Sequence, residues 1–286
     1  RGGQRRAERQ ELDGRSSARG QRDERRAPHE EPPRKGHQVA PDSRGETRPP
    51  PPRRPSRGRS SAGPKRPQLP AELEPDLPRS VMRELKRSAK DPLAVAKALS
   101  LATEAIDAGE PEAALPYLEW AKSMALRSPS VREILGVARY LAGDWSGALL
   151  ELQAYRRFTG RKDQNHLIAD SLRGLGRPPG KMAELVREMD ADRDGPDRLA
   201  EGAIVWASAL ADHGDPGAGR AVLHRYLEAL PATSSPEPHE LRMWYVAGDL
   251  AERDGDPRGA EQWFRRLAGA DPHAFDVTER LAALES

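Results

Sequence analysis

Four short segments of this chain share one rhythm. GEPEAALPYL begins at Gly109, GDWSGALLEL at Gly143, GDPGAGRAVL at Gly214 and GDPRGAEQWF at Gly255. Each runs glycine, acid, short gap, small residue, then a bulky apolar residue. The glycines lie 34, 71 and 41 residues apart, which reads as one unit, two units with a small excess, and one unit lengthened by the insertion ATSSPEP. Other positions repeat with them. Seven residues upstream of each glycine stand Ala102, Gly136, Ala207 and Gly248, and five downstream stand Ala114, Ala148, Gly219 and Ala260. Nine downstream are Leu118, Leu152, Leu223 and Phe264; twelve downstream are Ala121, Tyr155, Tyr226 and Leu267; Pro231 and Pro272 close the two later units.

The chemistry of those positions is that of a helical hairpin. From Pro78 onward, segments of 12 to 17 residues rich in Ala, Leu, Glu and Arg alternate with Gly, Asp and Pro, and no strand pattern interrupts them. Glycine ends the first helix because it enters the left-handed region at little cost, and the acid after it caps the second helix. Small residues let the two helices approach. A lone hairpin cannot bury its apolar face, so the units stack into a solenoid whose ends need caps. RSVMRELKRSA before the first unit and HAFDVTERLAALE after the last fit that role. A fifth unit is expected between Asp163 and Asp190, where Ala169 and Gly176 keep the spacing but Lys181 takes the second small position.

This pattern resembles the tetratricopeptide repeat, a 34-residue helix-turn-helix unit with small residues in both helices and a closing proline. The resemblance implies an all-α, right-handed solenoid of about five such repeats with capping helices over residues 78–286, preceded by a disordered basic arm over residues 1–77. It further implies that the first helix of each unit lines a concave groove for a peptide or helix of another protein. By spacing from the hinge glycines, that groove holds Glu133, Val137 and Tyr140 from one unit. The fifth unit adds His166, Asp170 and Arg173, and the last adds Arg242, Tyr245 and Asp249. The family members that clamp a C-terminal carboxylate use Lys and Asn at positions where this chain has Leu99 and Thr103, so that activity is not expected.

Charge divides the chain in two. Residues 1–68 carry 19 Lys and Arg against 9 Asp and Glu, whereas the remainder carries 28 against 36. Leu12 and Val39 are the only large apolar residues of the first part, which also contains RPPPPRRP from Arg48 to Pro55. So little apolar surface cannot offset an ordering entropy of about 1–2 kcal/mol per residue, and disorder with polyproline character is expected there. The arm could neutralise nucleic-acid phosphates, serve as a solubilising tail, or present Pro49 to Arg54 as a polyproline ligand. It has no aromatic residue to stack on bases. No run of residues approaches the roughly 18 apolar positions of a membrane span and no signal-peptide pattern is present, so a cytoplasmic location and no membrane partner are expected. Arginine outnumbers lysine 39 to 8, a bias expected of a GC-rich, actinobacterial-type genome.

Two further sets of residues bear on chemistry. DADRDGPDRLAE, Asp190 to Glu201, places Asp190, Asp192, Asp194 and Glu201 at calcium-loop spacing around Gly195. Asp197 sits where an aliphatic residue is usual and Arg198 at a ligating position; the competing reading, an acidic linker in which Gly-Pro starts a helix, is the stronger, and no metal site is expected. The seven histidines are scattered, and no His-Glu-x-x-His, phosphate-binding loop or Gly-x-Ser-x-Gly elbow occurs. The sequence therefore predicts a non-enzymatic adaptor without cofactor that binds a partner protein in its groove, with nucleic-acid or ribosome association through the arm as the alternative.

Overall fold

The structure, a computed structural model, describes residues 63–229 and 235–285. The disorder and the polyproline segment expected within residues 1–62 lie outside them. Among the described residues the chain forms thirteen helices and no strand. In chain order they are α1 (Arg79–Ser88), α2 (Pro92–Asp107), α3 (Pro111–Met124), α4 (Pro129–Leu141), α5 (Trp145–Thr159), α6 (Asn165–Gly174), α7 (Pro179–Arg187), α8 (Ala191–Asp194), α9 (Pro196–Asp212), α10 (Pro216–Ala229), α11 (Pro238–Arg253), α12 (Pro257–Ala270) and α13 (Val277–Leu284). Eight of them begin on a proline, whose fixed φ and missing N–H suit the first helical position and no later one.

Hairpins α2–α3, α4–α5, α6–α7, α9–α10 and α11–α12 are the five repeats, with α1 and α13 as caps. Each hinge glycine is left-handed: Gly109, Gly143, Gly176, Gly214 and Gly255 have φ of 78°, 73°, 65°, 88° and 76°. The residue after the glycine donates its N–H to the carbonyl five residues back, as in Asp144 to Arg139 at 2.8 Å and Asp256 to Ala251 at 2.9 Å, closing the first helix. The same aspartates then cap the second helix: Asp144 accepts from the Gly147 N–H and Asp256 from the Gly259 N–H, both at 2.9 Å. One dipeptide thus both stops a helix and starts the next.

The small residues stand where the helices touch. A Cβ on Gly136 would come within 2.6 Å of the Leu152 side chain, one on Gly219 within 2.6 Å of the Ala207 carbonyl, and one on Gly248 would collide with the Phe264 ring. Ala102, Ala114, Ala148, Ala207 and Ala260 are fully buried. The fifth unit departs from the spacing by one residue. Its second helix starts three residues after Gly176, not two, because Arg177-Pro178 stands in place of a single capping acid. Lys181 is therefore exposed and Met182 takes the buried contact.

The apolar interior falls into three clusters along the stack. The first runs from Leu85 to Ala138 through α1–α4, the second from Leu152 to Leu250, and the third joins Trp244, Ala251, Ala260, Phe264, Leu267 and Val277. Residues 63–77, grouped with the arm by composition, lie against the first: Leu69 and Leu77 pack on it, and Lys97 Nζ donates to the Pro70 and Ala71 carbonyls. Arg66 approaches Asp91 at 3.9 Å and lies 5.5 Å above the Trp120 ring. Leu69, Leu77 and the Lys97 hydrogen bonds hold this segment against the helices.

Candidate functional site

The first helices α4, α6, α9 and α11 carry polar side chains that meet across the stack. From α4, the Tyr140 hydroxyl donates to Asp170 Oδ2 of α6 at 2.6 Å, and its ring packs edge-on against Trp145 with centroids 5.3 Å apart. Glu133 accepts from the Gln164 amide at 2.8 Å; Val137 is half-buried beside it. Arg173 reaches past Asp170, at 3.4 Å, to Asp212 of α9 at 2.7 Å, and Asp212 also accepts from Arg253 of α11 at 3.1 Å. Glu201 of α9 pairs with Arg242 of α11 at 2.9 Å. At the end of the row, Tyr245 donates to Asp276 at 2.7 Å, while Asp249 accepts from Arg280 at 3.1 Å.

Burial sets the electrostatics. Desolvation raises the carboxyl of Glu133, against the Gln164 hydrogen bond. It also raises Glu201, with Arg242 opposing and Asp170 and Asp197 adding to the effect. The Tyr140 hydroxyl is raised by burial and by its bond to Asp170, and it feels both Glu201 and Arg242. Tyr140, Asp170, Glu201 and Arg242, from four successive first helices, therefore share one electrostatic neighbourhood. His166 is pushed down to about 4 by burial, then by Arg198. Its Nδ1 is buried without a hydrogen-bond partner among the described residues.

All nine residues expected in the groove lie on α4, α6 and α11, but their polar members are not free recognition groups. Asp170 and Asp249, expected to project openly, have side chains 22% and 35% exposed and are engaged between helices. Reversing their charges would break contacts between repeats, so they report on packing before they report on binding. Arg242, 53% exposed, is the most open member of a pair in the row. Gln164, Asp212, Arg253, Asp276 and Arg280 lie outside the groove positions expected from the sequence, and Glu201 stands among the acids of the calcium-like loop. A signal for some of them exists. Glu201 and Arg242 both stand thirteen residues before their hinge glycines, and Asp212 and Arg253 both stand two before; equal offset with opposite charge in neighbouring units marks a pair across the stack.

The acids of the calcium-like loop do not converge. Asp190 caps the single turn of α8 by accepting from the Asp192 and Arg193 N–H groups at 3.1 Å. Asp194 turns back to the Asp190 N–H and to Arg193, and Glu201 lies along α9 facing Arg242. Among the described residues no three such side chains could hold a metal ion, and no helix is long and apolar enough to cross a membrane.

The fold and its polar row are those of a solenoid of helical hairpins, the class of protein that presents one long concave surface. The tetratricopeptide repeat model matches residues 99–163 and 204–275, so these segments are similar to that repeat. The gap between them is the one-residue-shifted hairpin with the acidic turn after it. Among solved structures the chain is similar to YrrB, described as a TPR protein with an unusual peptide-binding site, at 14% identity and a TM-score of 0.47, over 72% of this chain and 97% of that one. No curated protein matches.

Proposed function

We propose that the protein is a non-enzymatic interaction scaffold that captures a segment of another protein along the face built by α4, α6, α9 and α11. The convergence of Tyr140, Asp170, Glu201 and Arg242 carries this reading. Four repeats contribute to one polar-aromatic surface whose groups already bond to one another, so it is ordered before a partner arrives and loses little entropy on binding. Such a surface suits an extended or helical segment with both polar and apolar side chains.

The exposed Arg242 offers a clean test. Arg242→Gln, which gives up the ion pair with Glu201 without setting two carboxylates against each other, should reduce enrichment of peptides from a displayed random library by at least tenfold while shifting the thermal transition little, since a largely exposed ion pair contributes about 0–1 kcal/mol. Arg225→Glu, exposed on α10 of the opposite layer, should leave enrichment as in the wild type. Equal enrichment by both variants would remove the reading.

A further inference from the structure

The edge of the stack opposite the hinge glycines brings its first three loops side by side. Lys90 of the α1–α2 loop donates its N–H to the Met124 carbonyl at the end of α3 at 3.0 Å, and Glu84 of α1 accepts from the Ser130 N–H at the start of α4 at 3.3 Å. Arg132 of α4 donates to the Leu126 carbonyl of the α3–α4 loop at 2.8 Å, and Gln164 of the α5–α6 loop reaches Glu133 of α4 at 2.8 Å. The α1–α2, α3–α4 and α5–α6 loops thus form one front.

That front carries free positive charge. Lys86, Arg87, Lys90, Arg127 and Arg157 are exposed and pair with no acid among the described residues. The acids around them are committed elsewhere. Glu84 is held by Ser128 and Ser130, Asp91 caps α2 and faces Arg66, Glu151 is buried between Lys122 and Arg132, and Asp163 is buried against Tyr155, Arg161 and Arg198. Between the cations two large apolar side chains project into solvent: Leu126, 59% exposed, beside Arg127, and Phe158, 45% exposed, beside Arg157. Past Lys162 the edge turns acidic at Glu188, Asp190 and Asp192, which confines the positive surface to the first three loops.

Free cations around projecting apolar side chains suit a bilayer with anionic headgroups, since the charges are drawn to the phosphates while leucine and phenylalanine reach the acyl boundary. A nucleic acid would satisfy the cations and leave Leu126 in water. We propose that this edge docks on an anionic phospholipid surface, with Arg127 and Arg157 at the phosphates and Leu126 and Phe158 below them. No described helix is long and apolar enough to cross a membrane, and this contact asks only for the surface.

The chain has no cysteine, so a single introduced one can carry a polarity-sensitive fluorophore at a chosen place on the full chain. Labelled Leu126→Cys and Phe158→Cys should shift their emission to the blue with vesicles of equimolar phosphatidylglycerol and phosphatidylcholine, and stay unshifted with phosphatidylcholine alone. Labelled Leu141→Cys, at the hinge edge and 51% exposed in the parent residue, should stay unshifted with both. Arg127→Glu and Arg157→Glu together should raise the lipid concentration at half-maximal shift at least tenfold, with the circular dichroism unchanged. The basic residues before Gly63 also attract anionic vesicles, but attachment through them alone leaves the labels at positions 126 and 158 in water. Vesicle binding without those two shifts, an equal shift at position 141, a shift that polyuridylate reproduces, or one that survives the double charge reversal overturns the proposal, as does the absence of any binding.

Discussion

His166 shows what a repeat asks of a single residue. Its position three residues after Asp163 on the first turn of α6 buries a titratable ring between α6 and its neighbours, near Arg198, Asp197 and Asp163. The folded ring binds its proton only near pH 4, whereas the unfolded one does so near 6.5. Unfolding therefore takes up a proton between those values, and stability falls as the pH is lowered through that window. His166→Gln should lose less stability than the wild type between pH 6.5 and 4, by up to about 3 kcal/mol, measured by urea denaturation at each pH. Parallel curves for the two proteins would show that the ring is solvated. The burial of the His166 ring nitrogen could not be read from its neighbours in sequence, since an exposed groove position and a half-buried inter-helix position share the same offset from the hinge glycine.

Helical hairpins are the unit in which the sequence is most legible. Gly and acid at the hinge, proline at the helix start and small residues at the crossing act within about twenty residues, so their spacing alone places α4–α5, α9–α10 and α11–α12. The shifted hairpin α6–α7 fails the same template because one extra residue in its hinge moves every contact of α7, from Lys181 to Met182, and a ruler with no alternative register cannot see this. Ala260 tests the crossing directly. It is fully buried in the cluster with Trp244, Ala251 and Phe264, in the hairpin where Phe264 fills the space that Gly248 leaves open. Ala260→Leu should overpack that contact and cost about 1–3 kcal/mol, seen as a lowered melting temperature; an unchanged melting temperature would mean the helices can separate there.

Along the whole stack, stability is the sum of hairpins and the contacts between them. A buried ion-pair network joins α3 and α4 of the first apolar cluster to α5. Glu151 of α5, its side chain fully buried, accepts from Lys122 of α3 at 2.7 Å and from Arg132 of α4. Burial opposes the charge on Glu151, but the two hydrogen-bonded cations outweigh it and hold its carboxyl below the usual range. Its contribution is therefore present above the unfolded carboxylate range and lost as the pH falls through the folded value. Glu151→Ala strands two partly buried cations and should cost about 3–5 kcal/mol, whereas replacing all three by Leu and Met should cost far less. Calorimetry of Glu151→Ala should show a lowered transition temperature; an unchanged one would mean that the apolar contacts across this joint suffice.

What the order of residues fixes in this protein is local: where helices begin and end, that they pair into hairpins, that the hairpins repeat, and that a basic, proline-rich stretch precedes an acidic helical one. Each follows from forces acting between residues a few turns apart, and each leaves a periodic trace. Which polar side chains join neighbouring repeats, and which of the inferred groove residues are spent in doing so, depends on helices brought together from thirty or more positions away, as Tyr140 meets Asp170 and Arg173 meets Asp212. The anchoring of residues 63–77 by Leu69 and Leu77 is of the same kind, because two apolar side chains mean nothing in composition until a packed surface exists to receive them.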